Sequence, residues 1–196
     1  MNSRAFLFLA EGFEITEAMA PADILVRGGV ELNLISISDS LSVTSAQRIS
    51  VNAECTLGQY SLDDIRKEDV MIFPGGVPGT SNLAACSPLM NKMQSHFAEG
   101  GTVAAICAAP GFILSQLPLE EVVRTKGSLT MASYEGCESA LVEKGVTVID
   151  PRQGVVEDGN IISASGPGHA VAFGLKILEH IAGADTAHTV AKALML

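Results

Sequence analysis

The chain has one segment that assembles nucleophilic chemistry from sequence alone, TVAAICAAPG over Thr102–Gly111. A β-branched, apolar run enters a cysteine, and Pro110 marks a helix start just beyond it. In open α/β sheets function gathers beyond the carboxyl ends of the strands, and a residue on a sharp strand-to-helix turn projects its side chain there. Free N–H groups at the start of the following helix would lower the pKa of a thiol at Cys107 and hold an oxyanion. Ala105, Ala108 and Ala109 leave room for a bound group. The alternative is a cysteine that serves only as a small core hydrophobe.

Two further segments point to the same sheet edge. MIFPGG over Met71–Gly76 is a strand that ends in a glycine turn, where Gly75 and Gly76 either expose N–H groups or simply make a tight turn. After the first strand, Glu11, Glu14 and Glu17 lie three apart on one helical face or its approach. A carboxyl group facing a thiol would shuttle protons; an acidic helix start that complements the dipole is the alternative for Glu11 and Glu14. The chain has neither a GxGxxG fingerprint nor a P-loop, so no nucleotide cofactor is expected. The four cysteines, Cys55, Cys86, Cys107 and Cys137, form no CxxC pair, which argues against a zinc site or a compact disulfide framework.

The elements that must position these groups read as alternating strands and helices. Strands are expected at Arg4–Leu9, Glu31–Ile37, Val70–Phe73, Thr102–Ile106, Ser128–Ala132, Val146–Ile149 and Asn160–Ser163, with a hairpin-like excursion at Ser42–Glu54. Helices are expected at Thr16–Gly28, Pro88–Glu99, Pro110–Gln116, His169–Ile181 and from Thr186 onward. The 196 residues are 47% hydrophobic and 17% charged, with 19 glycines and few aromatics. That composition suits one domain, 1–196, whose parallel sheet is covered by helices on both faces. A net charge of −10 disfavours a nucleic-acid partner. No apolar run reaches the roughly 18 residues of a membrane span, and no signal peptide is read, so a reducing cytoplasmic setting is expected.

In order along the chain, LAEGFEITE (Leu9–Glu17) with Pro21 and Asp23, FPGG (Phe73–Gly76), AAICAAP (Ala104–Pro110) and SGPG (Ser165–Gly168) resemble the ThiJ/PfpI superfamily, near its Parkinson-disease-protein branch. The resemblance runs from the first strand to the last helix. It implies a flavodoxin-like, glutamine-amidotransferase-like αβα sandwich and a homodimer contacted through the first helix and the Ser42–Glu54 excursion. It also implies Cys107 as the elbow nucleophile, Glu17 as the acid pointed at it, and the backbone N–H groups of Gly76 and Ala108, with Gly75 beside them, as an oxyanion pocket. Arg27 and Arg48 match basic residues near that pocket, or are ordinary solvated arginines. Where the family carries His or Tyr near the cysteine, this chain has Thr130–Gly136 (TMASYEG), so Ser133 or Tyr134 takes the slot. None of His96, His169, His180 and His188 falls there, which disfavours a peptidase dyad; His169 is either structural or near the pocket.

The implied activity is cofactor-free and cysteine-dependent, acting on reactive carbonyls in the manner of a glyoxalase or protein deglycase. A peroxide-sensing thiol with a chaperone role in oxidative stress is the second implication. Association with thiazole monophosphate in thiamine synthesis is the third, and no phosphate loop supports it.

Overall fold

The computed structural model describes residues 3–196. Strands β1 (Arg4–Leu9), β2 (Glu31–Ser36), β5 (Cys55–Thr56), β6 (Val70–Phe73), β7 (Thr102–Ile106), β10 (Val155–Asp158) and β11 (Ile161–Ala164) form a seven-stranded sheet in the order β10-β11-β7-β6-β1-β2-β5. All neighbours pair in parallel except β10, which returns antiparallel onto β11. The remaining strands make two small ribbons. One is the hairpin β3 (Ser42–Thr44) with β4 (Ser50–Asn52); the other pairs β8 (Thr130–Met131) with β9 (Thr147–Val148). The sandwich expected from the sequence is therefore present, with a mostly parallel sheet.

Period-two alternation divides the core. Phe6 and Phe8 of β1 join Met71 and Phe73 on one face, while Ala5, Leu7 and Leu9 join Val70 and Ile72 on the other. The first face packs against α3 (Ser87–Ala98) through Leu89, Met90 and Met93, and against α4 (Ala109–Phe112) through Ala109. The second packs against α1 (Ile15–Arg27) and α7 (Ala170–Ala182), which lie directly on one another. Gly174 permits that approach, because a Cβ there would come 2.8 Å from the Pro21 Cα.

Several elements differ from the sequence expectation. The helix expected over Pro110–Gln116 divides into α4 and a 3-10 turn at Leu114–Gln116. The strands expected at Ser128–Ala132 and Val146–Ile149 shrink to the two-residue β8 and β9, which pair with each other outside the main sheet. Short α2 (Gly79–Ala84), α5 (Leu119–Lys126) and α6 (Ser139–Val142) are additional, as are β5 and β10; the chain closes with α8 (Ala184–Ala193). These pieces bury few side chains. In α5 Leu119 is buried and Val122 and Val123, three and four residues on, pack partly buried against the same core, a short helical stripe that the expected elements left out.

Candidate active site

The fully buried β7 delivers Cys107 to the carboxyl edge of the sheet, where the chain must turn at once into α4. Cys107 makes that turn with φ +66°, a left-handed conformation that costs a residue bearing a Cβ on the order of 1–3 kcal/mol. Its backbone is held on both sides: the N–H donates to the Ala164 carbonyl at 2.8 Å, and the carbonyl accepts from the Tyr134 N–H at 2.9 Å and the Ser133 hydroxyl at 3.4 Å. The strained elbow inferred from TVAAICAAPG is thus a property of the fold.

Glu17 reaches the same edge from the first turn of α1. Its side chain is fully buried, and Oε2 accepts a 2.9 Å hydrogen bond from the Gly75 N–H. Gly75 explains the glycine turn after β6: a Cβ there would lie 2.7 Å from the Cys107 Cβ and closer still to Glu17 Oε2. Glu17, Gly75 and Cys107 form one packed stack that tolerates no side chain in the middle. Gly76 follows with φ +93°, and a Cβ there would meet the Glu14 N–H nitrogen at 2.5 Å.

Burial pushes the Glu17 carboxyl up to about 7, with the charge of Glu14 adding and the Cys107 and Gly75 hydrogen bonds opposing. Glu17 nevertheless senses Cys107 without a well-formed bond from its second oxygen, since Oε1 is buried with no partner of good hydrogen-bond geometry. Burial also pushes the Cys107 thiol up, the Glu17 charge and hydrogen bond push it further, and the Ala108 N–H pulls it down. The lowered thiol pKa expected from the helix start is therefore corrected: with Glu17 ionised, burial and the Glu17 charge hold the thiol above its ordinary value. The four-residue α4 offers little dipole, and the burial works against charge. Two acids so close hold one negative charge between them; when Glu17 takes the proton, its O–H can donate toward sulfur and the thiolate loses its repulsive neighbour.

The three glutamates do not share a face. Glu14 caps α1, accepting from the Glu17 N–H at 2.7 Å, and Glu11 lies before a glycine turn, where it accepts from the Thr44 N–H at 3.0 Å. Only Glu17 turns inward. Arg27 sits ten residues beyond Glu17, about 15 Å along the helix, and pairs with Asp23 at 2.7 Å on the surface. Arg48 occupies the β3–β4 turn with φ +63°, exposed. That loop does dock at the start of α1, through Ala46 to the Phe13 carbonyl and Gln47 to the Ile15 N–H.

Ser133 and Tyr134 both approach Cys107, in different ways. Ser133 is buried with its hydroxyl on the Cys107 carbonyl, while the half-exposed Tyr134 ring forms one wall of a cleft of about 280 Å³. Glu135, Arg152, Ser165, Gly166 and His169 line other parts of that cleft, and Cys107 does not line it. Sequence reasoning passed over Ser163, whose buried hydroxyl accepts from the Ala132 N–H at 2.9 Å and ties the Ser133 segment to β11. The run of small residues Ser163–Ser165 was the available signal.

The family model of the DJ-1/PfpI family matches residues 3–180. Protein dj-1beta of Drosophila melanogaster is 33% identical over 196 residues, covering 100% of this chain and 98% of the relative. Glutathione-independent glyoxalase DJR-1.2 of Caenorhabditis elegans is 29% identical over 197 residues, covering 100% and 97%. The crystal structure of Drosophila melanogaster DJ-1beta superposes with a TM-score of 0.84 at 30% identity, covering 100% of this chain and 99% of that one. The family model spans most of the chain and a relative of 33% identity spans all of it, so the chain belongs to the DJ-1/PfpI family.

Proposed function

We propose that the protein is a cofactor-free enzyme acting on small reactive carbonyls, of glyoxalase or deglycase type, with Cys107 as nucleophile and Glu17 as proton carrier. The observation that carries this reading is the buried Glu17 carboxyl stacked on the cysteine and shifted to about 7, where it can give and take a proton near neutral pH. Similarity to a relative described as a glutathione-independent glyoxalase supports the substrate class. The thiolate adds to the aldehyde carbon of a 2-oxoaldehyde, and Glu17 protonates the resulting oxyanion, giving a hemithioacetal. The Glu17 carboxylate then removes the carbon-bound proton to give an enediolate and returns it to the neighbouring carbon, while the hydroxyl proton passes to the adjacent oxygen, leaving a thioester that water hydrolyses to a 2-hydroxy acid and the free thiol. Gly76 and Ala108 supply the N–H groups for the oxyanion.

Lactate formation from methylglyoxal without glutathione tests the reading. Turnover by wild type that disappears in Cys107→Ser and falls at least about 100-fold in Glu17→Gln is expected for a proton-transfer group; turnover surviving in Cys107→Ser would remove the nucleophile assignment. The protein acts as a homodimer in a reducing compartment. Exposed Val26 on α1 and exposed Leu41 and Ile49 around the β3–β4 hairpin supply the apolar contact surface.

A further inference from the structure

Of the four cysteines, Cys55 and Cys86 pack against one core cluster and Cys107 against the other, whereas Cys137 packs against neither. Core filling therefore accounts for the first two and not for Cys137. Its position is tied to the elbow by a short hydrogen-bond chain: the Tyr134 N–H donates to the Cys107 carbonyl at 2.9 Å, and the Cys137 N–H donates to the Tyr134 carbonyl at 3.0 Å. Gly136, at φ +88°, makes this turn possible. From the other side, Gly111 sits one helical turn after Cys107, and a Cβ on it would stand 3.6 Å from the Cys137 Cβ. Both thiols are partly exposed, and Cys107 feels the charge of Cys137.

We infer that Cys137 is the resolving thiol for an oxidised Cys107, the two closing an intramolecular disulfide across the Tyr134–Cys137 turn. Hydrogen peroxide supplies the oxidant. The Cys107 thiolate attacks one peroxide oxygen, the O–O bond breaks, and Cys107 sulfenic acid forms while the remaining oxygen leaves as hydroxide and is protonated to water. The Cys137 thiolate then attacks the Cys107 sulfur, the S–O bond breaks, and the second oxygen leaves as water once protonated. A disulfide needs Cα atoms within about 7 Å, which sets how closely the Tyr134–Cys137 turn must bring Cys137 to the elbow. This diverts Cys107 from the irreversible sulfinic state.

Peptide mapping of the intact chain decides the matter, because cleavage after Lys and Arg puts each cysteine in its own fragment, Arg124 and Lys126 lying between Cys107 and Cys137. Wild type treated with two equivalents of hydrogen peroxide and blocked with iodoacetamide should show the Cys107 and Cys137 fragments joined within one chain, minus two hydrogens, and separated by dithiothreitol. In Cys137→Ser the same dose should carry Cys107 to the sulfinic acid, with at least about tenfold more of the two-oxygen adduct than in wild type. Sulfinic Cys107 beside a freely alkylated Cys137 in wild type would overturn the inference, as would a crosslink between two chains. The peptide map reads this independently of lactate formation, so either result leaves the carbonyl chemistry to its own assay.

Discussion

Glu17→Gln should make the protein more stable, and only above a definable pH. The carboxyl of an unfolded chain ionises near 4.5 and that of folded Glu17 near 7, chiefly because its burial opposes charge. Below 4.5 both states hold the proton and the substitution changes little, since Gln keeps the size of the side chain and an oxygen for the Gly75 N–H. Between the two values the unfolded chain binds fewer protons than the folded one, so wild-type stability falls with rising pH by up to about 1.4 kcal/mol per pH step. Above 7 the loss levels off at about 3 kcal/mol. Gln never ionises, so the difference between variant and wild type should grow by that amount from pH 4.5 to 8. With a urea dependence of about 2 kcal/mol per molar, the variant's midpoint should gain about 1 M or more across that range. Asp69 titrates below its ordinary range in both proteins, held there by Arg4 and Arg66, and cancels in the comparison. Urea melts at pH 4.5, 6 and 8 measure the difference. Curves that stay parallel across those pH values would refute the assignment of Glu17 as a buried acid strained by its charge.

Gly75→Ala should cost about 1–3 kcal/mol in a urea melt, because the new methyl must displace Glu17 Oε2 or the Cys107 Cβ. The same variant should change the pH dependence of Cys107 alkylation, and an unchanged profile would separate the two groups. Asp69→Ala should cost about 3–5 kcal/mol by leaving the Arg4 and Arg66 donors without their buried carboxylate. Alkylation of Cys107 should stay as in wild type, since Asp69 lies at the entry of β6, the opposite end of that strand from the site. If the proposed homodimer uses the hairpin, Ile49→Glu should shift it toward monomer in light scattering at micromolar concentration, and an unchanged dimer would move the interface elsewhere.

The parts of the fold legible in the sequence are those whose burial is regular. β1, β6 and β7 sit in the middle of the sheet, so their apolar runs need no partner to be recognised. The hairpin of β10 and β11 had its own local signal, Asp158-Gly159-Asn160, with Gly159 at φ +65°, yet β10 itself is only partly buried and reads as loop. α6 is four residues long with one buried side chain, which leaves pattern reasoning little to count, whereas α5 carries Leu119, Val122 and Val123 at i, i+3 and i+4, a signal present but short.

The site divides along the same physical line. Cys107 was legible because its role is local: a buried strand, small neighbours and a proline compel a sharp turn there. Glu17 was not separable from Glu11 and Glu14 by spacing, since what distinguishes it is distant, the Gly75 N–H of another strand and the sulfur of a third. Spacing also suggested the wrong sign for the thiol. A helix start predicts easier ionisation, but a turn buried this deeply charges only when a neighbouring acid gives up its own charge, so the proton count of the pair, rather than of either residue, sets its reactivity. That coupling is why the stability of Glu17→Gln and the alkylation of Cys107 should titrate together. As Glu17 ionises the protein loses stability and its charge holds Cys107 as the thiol over the same pH interval.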